Sequence, residues 1–246
     1  MTRLLFAPFL VFHLLSAQET QTSEQLLKTM HDRYANKWYQ TLTFVQKTTQ
    51  VRPDSSKTVS TWYESFSFPG TMRIDIDSMG SSGMIITNDS LYVFREGNLA
   101  TTRPFVHSLL LLGFDVYFLP VPETMAKLKS LHFNLSTIHE DIWQGRPAYV
   151  VGAKKGDLHS LQFWIDKEHL YFVRLLEPAG KDGTQTRETQ FNRYERLGNG
   201  WISPEVVFKL DGRVLTTEEY SDLQPNPRLD PKLFEPRYWK TARWRQ

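Results

Sequence analysis

The chain has 246 residues, with 29 Lys and Arg against 27 Asp and Glu, a formal net charge of +2, and no cysteine. So balanced a charge gives no strong electrostatic reason to bind nucleic acid. The lack of cysteine excludes disulfides, a thiol nucleophile and the lipidated cysteine of a bacterial lipoprotein. The length fits one domain, because curled all-β folds often exceed about 200 residues.

The N-terminus has the pattern of a secretory signal peptide. Arg3 precedes an apolar run that ends at Leu15, and the small residues Ser16 and Ala17 follow before a polar stretch. The pattern predicts a signal peptide over residues 1–17, with cleavage after Ala17; an uncleaved anchor is the alternative. Cleavage would remove one base, Arg3, and no acid, so the net charge would fall from +2 to +1. Secreted animal domains usually carry disulfides, so the lack of cysteine in an exported chain favours a location in the bacterial periplasm.

Residues 18–246 are predicted to form one domain that begins with a helix. Ser23 can cap this helix, and apolar residues recur at helical spacing from Glu24 to about Tyr39. Strands follow at short intervals, each bounded by turn residues such as Pro69-Gly70 and Asn88-Asp89. The predicted strands are Leu42–Val51, Val59–Phe68, one that carries Met72, Ile74 and Ile76, Gly83–Ile86, Leu91–Phe94 and Asn98–Thr102.

The strand pattern is interrupted between Pro104 and Leu131. The apolar segment Val106–Phe114 predicts a short helix, and Glu123–Leu131 predicts another, with Pro122 in its first turn. Strands then resume, and three of their turns are marked by Asp182-Gly183, Asn199-Gly200 and Asp211-Gly212. They are predicted at Phe133–Trp143, Ala148–Ala153, Ser160–Asp166, Tyr171–Leu176, Thr186–Leu197, Trp201–Leu210 and Val214–Leu223.

This order of elements predicts a mainly β fold. A continuous antiparallel sheet of this extent must curl, because wide flat sheets with open edges are unfavourable. We therefore expect a curved antiparallel incomplete β-barrel, or half-barrel, with an N-terminal helix and the central helices over the concave face. Those helices either fill a solid core or form a lid over a cavity, and the residues favour neither alternative.

No catalytic or metal-binding motif stands out. The seven histidines lack a spacing suited to zinc, and the polar cluster His139-Glu140-Asp141 is typical of a protein surface. Phosphate-binding and dinucleotide-binding loops are absent, so we predict no cofactor, no metal and no enzymatic activity. A site of separated carboxylates is not excluded. The basic, aromatic tail from Arg237 to Arg245 suits either contact with single-stranded nucleic acid or a membrane interface, or a terminal segment whose aromatics pack on the sheet and whose bases stay in water.

Several stretches taken together resemble the LolA-like family of periplasmic lipoprotein and lipid carriers. They are Phe44-Val45-Gln46-Lys47, Pro69-Gly70-Thr71-Met72-Arg73, Thr87 to Phe94 and the closing Leu233-Phe234-Glu235-Pro236, and the order of elements matches over nearly all of residues 18–246. The resemblance implies an open half-barrel whose hydrophobic cavity holds acyl chains. The better-known carriers have an arginine directly before the proline of the Pro69-Gly70 turn, which latches the lid; here that residue is Phe68.

The resemblance predicts a periplasmic carrier or chaperone that moves lipids or lipoprotein acyl chains between membranes. A non-catalytic periplasmic sensor or interaction domain of the RseB kind is the alternative. We expect lipid or acyl partners, a possible membrane donor or acceptor protein, no nucleic acid, and a monomer. Strand alternation and the first lid helix give the candidate cavity residues, with the face of each strand left open. They are Phe44, Trp62, Phe66, Met72, Ile74, Tyr92, Phe94, Leu109, Leu112 and Phe114.

Overall fold

A computed structural model of the protein describes residues 22–245, so the predicted signal peptide lies outside the described residues. Strands account for 47% and helices for 17%, which confirms the mainly β class. The helices are α1 (Ser23–Tyr34), α2 (Ser108–Gly113) and α3 (Val121–Ser130), with 3-10 turns at Asp115–Tyr117, Pro231–Phe234 and Pro236–Tyr238. Within residues 22–245, no helix has the length and apolar character needed to cross a membrane.

The strands alternate with short turns along most of the chain. They are β1 (Thr41–Val51), β2 (Lys57–Ser67), β3 (Thr71–Ile76), β4 (Ser82–Thr87), β5 (Ser90–Arg95), β6 (Asn98–Pro104), β7 (Ile138–Trp143), β8 (Arg146–Val151), β9 (Gln162–Asp166), β10 (Phe172–Ala179), β11 (Gln185–Asn192), β12 (Glu195–Leu197), β13 (Gly200–Ile202), β14 (Glu205–Leu210) and β15 (Arg213–Pro225).

Thirteen of these strands form one antiparallel sheet, in the order β6-β5-β4-β3-β2-β1-β15-β14-β11-β10-β9-β8-β7. The first and last strands of the chain are neighbours in its middle, and Lys47 and Glu219, 172 residues apart, meet across them. The sheet is strongly curved but does not close into a barrel. The predicted half-barrel is therefore confirmed.

Two-residue hairpin turns fix the register of the sheet. Asp211 and Gly212 have φ of 49° and 79°, and Asn88 and Asp89 have 49° and 52°, between the paired ends of β14 and β15 and of β4 and β5. Positive φ at both central residues matches the right-handed twist of the flanking strands. The turn residues noted in the sequence thus act by the expected mechanism at these hairpins.

The N-terminal helix begins one residue earlier and ends sooner than predicted. Thr22, rather than Ser23, is the cap: its hydroxyl accepts from the Gln25 N–H, and the Gln25 side chain accepts from the Thr22 N–H. This reciprocal pair is a capping box. The helix stops at Tyr34 because Ala35 has an extended ψ of 127°, yet Trp38 stays buried in the core beyond the helix end.

The second half of the sheet is more broken than predicted. The single strand expected over Thr186–Leu197 is interrupted at Arg193, which has a φ of 55°, and the strand expected from Trp201 to Leu210 is interrupted before Pro204. Proline cannot donate to a strand ladder. The pieces between these breaks, β12 and β13, form a separate two-stranded sheet.

The convex face of β3–β5 is covered by the C-terminal segment. Trp239 is 1% exposed; its ring stacks on Phe94 at a centroid distance of 4.3 Å and lies beneath the Arg73 guanidinium. Arg73 is fully buried, pairs with Asp75 and donates to the Trp239 carbonyl at 2.9 Å. The tail aromatics therefore pack on the sheet, the second of the two alternatives drawn from the sequence.

Candidate ligand-binding cavity

A cavity of about 200 Å³ lies on the concave side of the sheet, beneath α2. We call α2 and the 3-10 turn that follows it, residues 108–117, the lid. Strands β2, β3, β4, β11, β14 and β15 provide the floor. The lining residues are Trp62, Glu64, Phe66, Met72, Ile74, Met84, His107, Leu109, Leu110, Phe114, Phe191, Val206, Phe208, Glu218 and Tyr220. Most are apolar or aromatic, as in ordinary small-molecule sites.

Six of the ten residues proposed from the sequence line this cavity. They are Trp62, Phe66, Met72, Ile74, Leu109 and Phe114. Phe44 lies directly beside it, buried between the rings of Phe66 and Tyr220 at 5.5 and 4.2 Å. Leu112 is fully buried in the main core rather than at the cavity wall. The core and the cavity therefore coexist on the concave side.

The face expected for β5 is corrected by the register. Tyr92 pairs with Ile85 across β4 and β5, and Phe94 pairs with Gly83; all of them lie on the convex face, where Ile85, Phe94 and Trp239 form a separate apolar cluster. The inward residues of β5 are Leu91 and Val93, which belong to the main core. Because side chains alternate along a strand, an error of one residue in its register moves every side chain to the opposite face of the sheet.

Aromatic rings hold the lid to the sheet. Phe68 stacks on Phe114 of the lid at 4.9 Å and on Phe118, directly after the lid, at 5.6 Å, and it also stacks on Phe66 of the sheet at 5.5 Å. Such pairs contribute about 0.5–1.5 kcal/mol each beyond their area burial. The residue that replaces the arginine of the better-known carriers thus makes apolar contacts to the lid.

A buried acid makes the polar contact between the lid and the sheet. Asp115 Oδ1 accepts from the Gly70 N–H at 2.8 Å, joining the lid to the β2–β3 turn. Burial raises the pKa of Asp115 to about 7, although the hydrogen bond from Gly70 lowers it. This contact is therefore stronger when Asp115 is ionised, but the ionisation itself is costly at this buried position.

Two carboxyl groups lie in the cavity floor. Glu64 on β2 is 4% exposed, and burial raises its pKa well above the usual range, with a further contribution from the charge of Glu218. On β15, Glu218 accepts from the Tyr220 hydroxyl at 3.1 Å. Burial raises the pKa of Glu218 to about 7, against the effect of hydrogen bonds from Tyr220 and Gln46. Perturbed acids in a cleft indicate a functional site.

A neutral histidine lies at the start of the lid. His107 Nδ1 accepts from the Leu110 N–H at 3.2 Å and so caps α2. Burial lowers the pKa of His107 to about 4, and an accepting Nδ1 leaves the proton of the neutral ring on Nε2. His107 therefore contributes one hydrogen-bond donor and no charge to the lid side of the site near neutral pH.

Sequence reasoning missed the acids, although the signal was present. Glu64 lies between Trp62 and Phe66, and period-2 alternation puts all three side chains on one face of β2. The same rule pairs Glu218 with Tyr220 on β15. A charged residue between two inward aromatics in a strand is the pattern that would have found Glu64.

The polar clusters elsewhere have structural roles. Arg146 makes bidentate bonds to the Asp166 carboxylate, at 2.7 and 3.2 Å, and also contacts Glu168. His139 and Asp141 approach to 4.0 Å on the edge strand β7. In the part of the chain that the structure describes, no group of three or more His, Cys, Asp or Glu residues is arranged to hold a metal ion.

A curved, open antiparallel sheet with a helix-covered apolar cavity defines the class of half-barrel binding folds. Within that class, similarity to solved structures shows that this chain has a LolA-like fold. A DUF1329 family protein from Desulfovibrio piger is similar with a TM-score of 0.60 at 15% identity, over 88% of this chain and 97% of that one. A LolA superfamily protein from Nitrosomonas europaea is similar with a TM-score of 0.55 at 11% identity, over 88% of this chain and 99% of that one.

A third structure, provisionally named an outer membrane lipoprotein-sorting protein domain, comes from Vibrio parahaemolyticus. Its TM-score is 0.58 at 12% identity, over 88% of this chain and 97% of that one. No protein-family profile matches the sequence, and no curated protein sequence matches it. At these identities the similarity establishes the fold alone.

Proposed function

We propose that this protein is a non-catalytic periplasmic carrier that binds the acyl chains of lipids or lipoproteins reversibly beneath the lid. The observation that carries the proposal is the apolar cavity between α2 and the concave sheet. The LolA-like fold, shared with a structure named for outer membrane lipoprotein sorting, supports this class of cargo. A donor or acceptor protein at the membrane would load or receive the cargo of a monomeric carrier.

The size of the cavity implies that cargo enters with movement of the lid. Its volume of about 200 Å³ is below the roughly 300–1,000 Å³ of sites that enclose a drug-sized ligand. Burial of an acyl chain contributes about 0.8 kcal/mol per methylene. The stacks of Phe68 on Phe114 and Phe118 would cost only about 1–3 kcal/mol together to break. Burial of an acyl chain therefore offsets the loss of these stacks, while the buried Leu112 and the bond of Asp115 to Gly70 add to the free energy that lid opening requires.

Fluorescent fatty-acid displacement on delipidated protein tests the proposal. Leu109→Glu and Phe114→Glu place a charge at the contact between lid and sheet, and both should weaken binding by at least about tenfold, because an unpaired buried charge is costly. Arg243→Glu changes a charge on the convex side, beside Gly80, and should leave binding within about twofold. If delipidated wild-type protein shows no saturable binding, the sensor or interaction-domain function takes precedence.

Export is part of the same proposal. Residues 1–17 would act as a cleaved signal peptide, and residues 18–246 would form the single mature domain. N-terminal sequencing of the protein from the periplasmic fraction should begin at Gln18. Recovery of an intact Met1 end from the inner membrane would contradict this.

A further inference from the structure

The cavity floor holds two acids, and one of them, Glu64, lacks an internal hydrogen-bond partner, whereas Glu218 is bonded to the Tyr220 hydroxyl. Glu64 is 4% exposed and lines the cavity, and within residues 22–245 its carboxyl group has no hydrogen-bond partner. Among the described residues, the side chains that line the cavity include no lysine or arginine. The floor therefore presents a carboxyl group whose bonding capacity is left for a ligand.

The surrounding strands provide acceptors rather than donors. Gln46 on β1 lies in register between Trp62 of β2 and Tyr220 of β15. Its Nε2 donates to Thr48 Oγ1 at 2.7 Å, while its Oε1 is buried without a partner. The Tyr220 hydroxyl is already engaged with Glu218. The donors of the floor are thus used internally, and acceptors remain.

The chemistry of these acceptors selects among the possible polar ends of a cargo molecule. An anionic head would bring a negative charge towards two acids and disfavour their ionisation, and the described lining residues include no lysine or arginine to pair with it. An apolar end inserted first would leave the Glu64 carboxyl unpaired, which costs free energy at a buried site. An ammonium group supplies a positive charge and several N–H donors, and forms the strong, charge-assisted class of hydrogen bond with a carboxylate.

We propose that the cavity binds a long-chain primary amine head first, with its ammonium group paired to Glu64 and with Glu218 as the second acidic residue of the site. The inference rests on the proposed function, because it names the polar end of the cargo that the apolar cavity accommodates. The aliphatic chain then lies against Phe66, Met72 and Leu109.

Amine binding is coupled to proton release. Burial raises the pKa of both Glu64 and Glu218, so it favours their protonated forms in the empty cavity, whereas the cation favours their ionised forms. Affinity should therefore rise as pH increases towards the pKa of Glu218 near 7. The other titratable groups at the cavity do not change in this range: His107 has its pKa lowered to about 4, and Tyr220 has its pKa raised well above 10.

The test compares three probes of equal chain length, dodecylamine, dodecanol and dodecanoate, by displacement of a fluorescent fatty acid from the delipidated mature protein. Dodecylamine should bind at least about tenfold more tightly than the other two near pH 8, and this advantage should shrink near pH 5.5. Calorimetry in buffers of different ionisation enthalpy should show proton release with dodecylamine and none with dodecanol. These wild-type measurements do not depend on the folding of any variant.

Glu64→Gln should lower dodecylamine affinity by at least about tenfold and leave dodecanol affinity within about twofold. Glu219→Gln is the matched control, because Glu219 is the neighbouring acid on the other face of β15 and pairs with Lys47 at 3.0 Å. This variant should change neither the dodecylamine affinity nor the dodecanol affinity. Equal binding of the three probes, or an equal loss for all three in Glu64→Gln, would overturn the inference and leave the proposed carrier intact. Failure of all three to bind would overturn both.

Discussion

Glu218 makes a testable contribution to the pH dependence of stability. Its carboxyl group lies in the cavity wall, bonded to the Tyr220 hydroxyl, and burial raises its pKa to about 7 from the 4.5 of a solvated glutamate. Below pH 4.5 the group is protonated in both the folded and the unfolded protein. Between the two values the unfolded chain ionises while the folded protein does not, so the folded state loses stability as pH rises.

The size of this effect follows from the interval between the two pKa values. Each pH unit corresponds to about 1.4 kcal/mol. Over the interval from 4.5 to about 7, Glu218 should lower the free energy of unfolding by roughly 3 kcal/mol. Glu218→Gln removes the titration and keeps a similar shape. The variant should therefore gain roughly 3 kcal/mol relative to wild type between about pH 4.5 and pH 8.

Urea unfolding of both proteins at a series of pH values measures this difference directly. Glu219→Gln, which alters an exposed acid on the same strand, serves as the control and should run parallel to wild type. Parallel curves for Glu218→Gln and wild type would refute the reasoning, since they would mean that the carboxyl group is as well solvated in the folded protein as in the unfolded chain.

Three further predictions concern the lid, the tail and the first helix. Asp115→Asn keeps an acceptor for the Gly70 N–H and removes a buried acid whose pKa is raised from 3.8 to about 7, so in the same urea assay the gain in stability of the variant over wild type should grow as pH rises between these two values and level off above about pH 7. Trp239→Ala removes a fully buried ring and should lower the free energy of unfolding by about 3–5 kcal/mol; acyl displacement titrations should be unchanged, because the ring packs on the convex face. Thr22→Ala breaks the capping box with Gln25 and should lower the melting temperature, at a cost of about 1 kcal/mol; an unchanged melting temperature would mean that α1 is held by its packing alone.

The fold was predictable where the signal is local. Asn88-Asp89 and Asp211-Gly212 specify positive φ angles through their own conformational preferences, and the structure has two-residue hairpins at both places. The three helices and the interruption of the strand pattern between Pro104 and Leu131 are also present. Conversely, the breaks near Arg193 and Pro204 were missed, because the flanking sequence alternates as a strand would.

The candidate site was predictable only in part. Alternation correctly grouped Trp62 with Phe66 and Met72 with Ile74, and all four line the cavity. The same rule gave Tyr92 and Phe94 as a pair but does not say which face is concave, and the pairing of β4 with β5 puts them under Trp239. Period-2 patterns fix which residues share a face, whereas the identity of that face depends on the register with neighbouring strands.

The sequence by itself determined most of the element order, the hairpin turns at Asn88-Asp89 and Asp211-Gly212, and the curled antiparallel class, because each of these depends on residues close together in the chain. Only the tertiary structure decided that β15 pairs with β1, 172 residues away at Lys47 and Glu219. That pairing brings Glu218 to the same cavity as Glu64 and sets both acids in a wall of aromatic side chains. Burial raises the pKa of both acids, and the charge of Glu218 raises that of Glu64 further; both causes exist only once distant strands have enclosed a space that bulk water does not fill.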